Sequence, residues 1–94
     1  MPFCTIVEFE WDETFDREHF TSMVGAAGAD SEPVAGRLSR IAGIDEHGAR
    51  MIEVWQSGDD ARAFAERSAP ALASAALPQP SRVVGFEVTS YEVS

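Results

Sequence analysis

The chain has 94 residues, of which 45% are hydrophobic, and 16 acidic against 7 basic side chains give a formal net charge of −9. This size suits one domain over residues 1–94, and the apolar fraction argues against a disordered chain. The acidic balance argues against nucleic acid or an anionic membrane as a partner, because either would need a basic patch. No apolar run approaches the roughly 20 residues of a membrane span and no leader is visible, which predicts a cytoplasmic protein.

The first 27 residues predict a strand followed by a helix. Residues 3–11 alternate between two sheet faces, and one face carries Phe3, Thr5, Val7, Phe9 and Trp11. Cys4, the only cysteine, lies on the other face and is expected to be a small buried residue. Residues 15–27 follow a helical period, with an expected buried stripe of Phe20, Met23, Val24 and Ala27. His19 lies beside this stripe.

A loop, a second strand and a turn follow. Residues 25–36 are Gly-rich and predict a loop, either as a simple connection or as the edge of a pocket. No strand directly precedes these glycines, so we do not expect nucleotide binding. Residues 36–43 predict the second strand, which carries Arg40, and residues 45–48 predict a hairpin turn with His47 exposed.

The next stretch predicts a strand and a capped helix. Met51, Glu53 and Trp55 fall on one face of the third strand because they are spaced two residues apart. Ser57 can cap the following helix, whose first turn is acidic and therefore favoured by the helix dipole. Pro70 predicts a kink or break, followed by a second helical piece over residues 71–77.

Residues 82–93 predict a fourth strand that includes Tyr91. The element order is βαββαβ, which predicts an α+β protein with a ferredoxin-like sheet and two helices on one face. Both sheet faces carry apolar residues, although the two helices can cover only one of them. The second face requires a partner, and we therefore expect a homodimer that closes a dimeric α+β barrel.

The strand ending in Trp55, the Ser57 cap, the acidic turn, the helix bearing Phe64 and the restart after Pro70 resemble one known group of proteins. That group is the dimeric α+β barrel superfamily, in particular the antibiotic biosynthesis monooxygenase-like proteins. The resemblance implies that a small hydrophobic or aromatic molecule binds between the sheet and the helices of one subunit, with Trp55 lining the pocket.

Strand alternation adds Glu53 and Met51 to this implied pocket. Glu53 is expected to reach solvent at the sheet edge, to pair with Arg40, or to accept a proton with a raised pKa. Arg40 is itself expected to act as an ion-pair partner or as a substrate anchor. The candidate catalytic residues are Trp55, Glu53 and His19, and the candidate substrate-binding residues are Arg40, Met51, Tyr91 and Phe20.

Two departures from the family limit what the resemblance implies. Heme-degrading members carry a heme-ligating histidine on the second helix, and residues 58–77 contain none. Quinone-forming members carry an asparagine four residues before the third-strand tryptophan, where this chain has Met51. No metal-ligand spacing appears either, so we expect neither a cofactor nor a metal.

Three functions remain open at this point. The first is a cofactor-free monooxygenase acting on an aromatic or polyketide-like substrate. The second is a cyclase or isomerase of the same fold that uses Glu53 or His19 for proton transfer. The third is a small-molecule-binding dimeric barrel without catalysis.

Overall fold

The computed structural model describes residues 1–26, 34–74 and 79–92, with the side chains of residues 23–26 and 71–74 outside the description. In chain order the elements are β1 (Phe3–Glu10), α1 (Arg17–Ala26), β2 (Arg37–Ile44), β3 (Gly48–Trp55), α2 (Gly58–Ser74) and β4 (Arg82–Glu87). The strands form one antiparallel sheet in the order β2-β3-β1-β4. The predicted ferredoxin-like βαββαβ architecture is therefore confirmed.

The strand register separates two sheet faces. On the face toward the helices, here called the helix-side face, β1 residues pair with β3 residues as Phe3–Trp55, Thr5–Glu53, Val7–Met51 and Phe9–Ala49. The opposite face, here called the open face, carries a second set of cross-strand neighbours: Cys4, Ile6, Ile52, Val54, Val84 and Phe86. These assignments follow the alternation predicted for β1 and β3, because a strand changes face at every residue.

Two aromatic clusters pack between the sheet and the helices. The first, the α1 cluster, joins buried Phe9 and Ala49 of the sheet to Phe15 and Phe20, with Trp11 against them. Its ring centroids lie 5.5 to 6.4 Å apart in tilted and edge-to-face arrangements. Such pairs add to the stabilisation from burying aromatic area.

The second cluster, here called the α2 cluster, is centred on Trp55, whose ring centroid is 5.3 Å from that of Phe64 on α2. Trp55 is only 1% exposed. The predicted cap of α2 is confirmed, since the Ser57 hydroxyl accepts a hydrogen bond from the Asp60 backbone N–H at 3.2 Å and donates one to the Asp60 carboxylate at 2.9 Å.

The second helix runs without interruption past Pro70 to Ser74. Of the kink or break predicted at Pro70, the break is therefore wrong, and the kink stays a prediction. Pro70 removes one backbone hydrogen bond from the helix interior, but it lies within an alanine-rich segment that strongly favours helix on either side. The far end of the predicted second piece, toward residue 77, lies outside the described residues.

The fourth strand is shorter than predicted. It ends at Glu87, opposite Phe3, where its pairing partner β1 begins. The last cross-strand contact is the Val88 backbone N–H donating to the Pro2 carbonyl at 2.8 Å. Tyr91 therefore lies beyond β4, with 41% of its surface exposed, and the prediction that it is a strand residue is wrong.

Several predicted features of the N-terminal half fall outside the described residues. The buried stripe of α1 is confirmed at Phe20, which is 4% exposed, whereas the side chains of Met23 and Val24 and all of Ala27 are not described. The loop was predicted to start at residue 25, but Gly25 and Ala26 are the last residues of α1. Its possible role as a pocket edge stays a prediction.

The open face remains apolar and uncovered in the single chain. Ile41 of β2 is 63% exposed and Phe86 of β4 is 45% exposed. Cys4 in the same face is buried, as predicted. Among the described helices, none combines the length and apolarity needed to cross a membrane.

Candidate functional site on the helix-side face

A buried ion pair lies at the centre of the helix-side face. Glu53 of β3 is 8% exposed, and Nη1 of Arg37 on β2 lies 2.9 Å from its Oε2. The prediction that Glu53 reaches solvent at the sheet edge is therefore wrong, and so is the prediction that Arg40 is its partner. Of the expected arrangements for Glu53, the observed one is ion pairing, with a different arginine.

A strand irregularity explains why Arg37 is the partner. The β2–β3 register shifts between Arg37 and Ser39, so that Arg37 pairs with Trp55 while Arg40 pairs with Glu53. The shift inserts Leu38 as an extra residue, as in a β-bulge, and Leu38 is 42% exposed. Strict alternation from Arg40 would have placed Arg37 on the open face.

Trp55 forms an enclosed part of the site. Its indole Nε1 donates to the Thr5 hydroxyl at 3.2 Å, and its ring packs against Phe64. Arg37 and Arg67 also approach the Phe64 ring, with guanidinium carbons 5.8 and 5.9 Å from the centroid. Trp55 is thus a buried neighbour of Glu53 on the same face of β3, and its pocket-lining role stays a prediction.

A more accessible surface separates the two aromatic clusters. We call it the central strip, and it consists of two cross-strand rows about 7 Å apart. One row runs Arg40, Glu53, Thr5, and the other runs Ala42, Met51, Val7, Val83. Ala42 is exposed, Met51 and Val7 are half-buried, and Val83 is 66% exposed. The strip therefore offers an apolar surface beside a buried carboxylate.

Arg40 has an unusual environment within this strip. Its Nε atom is buried and has no hydrogen-bond partner among the residues that the structure describes. Its cross-strand neighbour Glu53 is held by Arg37 instead. A buried N–H of a charged group without an acceptor is costly, so this atom requires an explanation.

The remaining sequence candidates lie elsewhere. His19 is on the solvent side of α1, where its Nδ1 is 2.8 Å from an Asp16 carboxylate oxygen and the two side chains are each 63% exposed. The backbone N–H of His19, which donates to the Asp16 carboxylate, and then this side-chain contact lower the pKa of Asp16. Phe20 is buried in the α1 cluster, and Tyr91 lies on the surface beyond β4. The structure therefore brings together Glu53, Met51, Arg40 and Trp55, and leaves these three outside the strip.

A separate depression of about 400 Å³ lies on the open face, toward the β2–β3 turn. Its lining includes Glu8, Ile41, Arg50 and Ile52, which belong to the face opposite Glu53. His47 of the turn also borders it and is exposed, as predicted. We place the candidate site on the helix-side face, because the buried Glu53–Arg37 pair lies there.

Comparison with solved structures shows the same fold repeatedly. MupZ from Pseudomonas fluorescens superposes with a TM-score of 0.76 at 15% identity, over 89% of this chain and 66% of that chain. A protein from Chloroflexus aurantiacus J-10-fl, named for antibiotic biosynthesis monooxygenases, superposes with a TM-score of 0.70 at 16% identity over 100% of both chains. The chain has the fold of the antibiotic biosynthesis monooxygenase-like proteins. The predicted resemblance is thereby confirmed at the level of fold.

A third similar structure contains a ligand. It is a monooxygenase from Streptomyces coelicolor, the product of ActVA-Orf6, in complex with nanaomycin D, with a TM-score of 0.68 at 18% identity over 98% of this chain and 91% of that chain. No family model and no curated protein sequence matches the chain. The chain spans about two thirds of the length of MupZ.

The arrangement around Glu53 has a definite chemical capability. Arg37 binds Oε2, and Oε1 accepts no hydrogen bond from the described residues. A carboxylate held at one oxygen and unoccupied at the other is oriented and can accept a proton from a nearby molecule. Among the described residues, no group of three potential metal-ligating side chains comes together.

Proposed function

We propose that this chain is a cofactor-free monooxygenase-like protein that acts on a hydrophobic aromatic or polyketide-like small molecule. The observation that carries the proposal is the buried Glu53 carboxylate, fixed by Arg37 beside the central strip. In this proposal Glu53 is the proton acceptor, and the apolar row through Ala42 and Met51 receives the flat body of the substrate.

The reaction balances without an added reductant. Glu53 removes a proton from an activated CH₂ group of the substrate, and the resulting carbanion adds to O₂ to form a C–O bond. Protonation gives a hydroperoxide, which loses water and leaves a carbonyl group on the carbon. The substrate supplies all four electrons, one oxygen atom remains in the product and the other leaves as water.

The aromatic substrate class is supported by the surface available. The central strip is flanked along the strands by Trp55 at one end and by the α1 cluster at the other. The apolar row of the strip, which includes Met51 and Val7, can cover a flat hydrophobic molecule and exclude water from the reacting carbon, whereas Trp55 itself is buried. The monooxygenase of the same fold that binds nanaomycin D gives additional support.

Two other functions also have supporting observations. A cyclase or isomerase would use the unoccupied Oε1 of Glu53 for proton transfer without oxygen. A non-catalytic binding protein would use Arg37 and Glu53 only to fix β2 against β3, and the complete burial of Trp55 is compatible with such a structural role. His19 takes no part in these proposals, because it faces solvent.

The experiment is an oxygen-uptake assay with hydroxylated anthrones and naphthols, performed with purified protein and no added cofactor. We expect O₂ consumption that depends on the substrate. The product should be 14 mass units heavier than the substrate, because a CH₂ group has become a carbonyl group. Glu53→Gln should lower turnover by about 10²–10⁴-fold. The matched control is Glu46→Gln on the β2–β3 turn, where the carboxylate is 86% exposed and should not affect turnover.

The outcomes separate the three functions. Substrate conversion under argon, with the same loss in Glu53→Gln, would favour the cyclase or isomerase. Ligand binding with no conversion in either atmosphere would favour the binding protein. Turnover that is equal in Glu53→Gln and in wild type would remove Glu53 from the mechanism.

We propose further that the functional unit is a homodimer. Ile41 and Phe86 expose apolar surface on the open face, which no described helix covers. Sedimentation at micromolar concentration should give about twice the 10.2 kDa chain mass. Ile41→Glu should give monomers, because each subunit would bring an unpaired carboxylate into the apolar contact. A wild-type monomer would contradict the proposal.

A further inference from the structure

The unsatisfied Nε of Arg40 is the part of the central strip that the proposed reaction does not use. The chain has nine more acidic than basic side chains, yet no described carboxylate lies within ion-pairing distance of Arg40. In contrast, Arg37, Arg50 and Arg62 each pair with an acidic residue. Among the arginines of the described strands and helices, Arg40 is therefore the one whose buried N–H lacks an acceptor.

We propose that Arg40 binds a carboxylate group carried by the ligand, so that the ligand of this site is an aromatic carboxylate. An arginine presents Nε together with one terminal nitrogen as a planar two-donor edge, and this edge matches the two oxygens of a carboxylate. Nε has no solvent contact in the ligand-free structure, so a carboxylate reaches it once the guanidinium turns this edge outward, and it then satisfies Nε and neutralises the charge at the same time. Glu53 does not do so in the structure, because the hydrogen bond recorded at its carboxylate comes from Arg37.

The strand geometry gives the ligand a length and a direction. Arg40 and Ala42 lie two residues apart on the helix-side face of β2, which places their rows about 7 Å apart. A carboxylate at Arg40 would therefore extend its ring system over Ala42 and Met51, the apolar row of the strip. A two-ring aromatic acid has a suitable length for this span.

This inference rests on the proposed function, because it places the ligand in the same strip, but it is tested separately by binding. The probes are 2-naphthoate and the neutral 2-naphthamide, measured by titration calorimetry with no oxygen-dependent step. We expect wild-type protein to bind naphthoate more tightly than naphthamide. Arg40→Gln should weaken naphthoate binding by about 10- to 100-fold and leave naphthamide binding unchanged, because only the charge-assisted contact is lost.

Two further variants sharpen the test. Arg40→Lys keeps the charge but not the planar edge, and should give a naphthoate affinity between those of wild type and Arg40→Gln. Arg62→Gln removes an arginine that is exposed on α2 and should bind both probes as wild type does. The melting temperature of Arg40→Gln without ligand should equal or exceed that of wild type, because the change removes an unsatisfied buried donor.

The inference is overturned if naphthoate does not bind saturably, if it binds no more tightly than naphthamide, or if Arg40→Gln leaves its affinity unchanged. If naphthoate binds through Arg40 but no substrate consumes oxygen, the inference stands and the proposed monooxygenation fails. If a substrate consumes oxygen but naphthoate does not bind through Arg40, the proposed reaction stands and Arg40 is not the carboxylate anchor.

Discussion

Breaking the Arg37–Glu53 pair should destabilise the fold strongly. The two side chains are only 11% and 10% exposed, so solvent cannot replace the lost partner. Arg37→Met leaves a buried carboxylate unpaired, which costs about 3–5 kcal/mol. For a domain of 94 residues, a loss of about 3 kcal/mol corresponds to a fall in melting temperature of about 12–24 °C. That is a large part of the about 5–15 kcal/mol that stabilises a typical domain.

A double-mutant cycle measures this coupling directly. Arg37→Met, Glu53→Gln and the double variant are compared with wild type by urea denaturation, and the double variant should recover more than half of the stability that Arg37→Met loses. We expect a coupling free energy of about 1.5–3 kcal/mol. The control is the Arg62–Asp59 pair on α2, whose side chains are 73% and 91% exposed and should couple by less than about 0.5 kcal/mol. A similarly small value for Arg37–Glu53 would refute the buried ion pair.

Three further predictions follow from individual contacts. Trp55→Phe should lower stability by about 1–3 kcal/mol in thermal denaturation, because it removes buried volume and the hydrogen bond to the Thr5 hydroxyl; an unchanged melting temperature would contradict its enclosure. Gly36→Ala should cost at least about 1–3 kcal/mol, since Gly36 has a φ of 79° and a Cβ there would overlap the Asp60 carboxyl. Asp12 has a pKa below its usual value, through hydrogen bonds from the Thr14 hydroxyl and backbone N–H and from the Phe15 N–H. Its contribution to stability is therefore present above about pH 4 and is lost as pH falls through the lowered pKa. Asp12→Ala should melt below wild type at pH 7, and the gap should narrow as the pH falls through the lowered pKa; a gap that is independent of pH would refute this assignment.

Local patterns were sufficient to predict most of the fold. The alternation in β1 and β3 gave the correct faces because both strands are regular over their whole length. The Ser57 cap was predictable because its hydrogen bonds reach only three residues along the chain. The burial of Phe20 likewise follows from helical spacing alone.

The two errors in the bounds of the elements have different causes, one distant in the sequence and one local. The end of β4 at Glu87 is set by the start of β1, 84 residues earlier in the chain. Beyond that point β4 has no neighbouring strand with which to form backbone hydrogen bonds. The continuation of α2 through Pro70 depends on the balance between one lost hydrogen bond and a favourable alanine-rich context.

The candidate site was predictable in part. Met51, Glu53 and Trp55 share the helix-side face as expected, since β3 is regular. Arg37 was missed because counting by two from Arg40 assumes an unbroken strand, and the register shift at Leu38 reverses the face of every residue before it. The sequence does show two arginines in β2, Arg37 and Arg40, but it does not show which of them shares a face with Glu53.

The position of the ligand is the central claim, and chemical-shift mapping with 2-naphthoate tests it most directly. Successive residues of one strand lie on opposite faces, so the two faces can be distinguished within β2 and β3. Binding to the central strip should shift the methyl signals of Ala42, Met51 and Val7 and leave those of Ile41 and Ile52 unchanged. Shifts confined to Ile41 and Ile52 would place the ligand in the open-face depression and contradict the helix-side site.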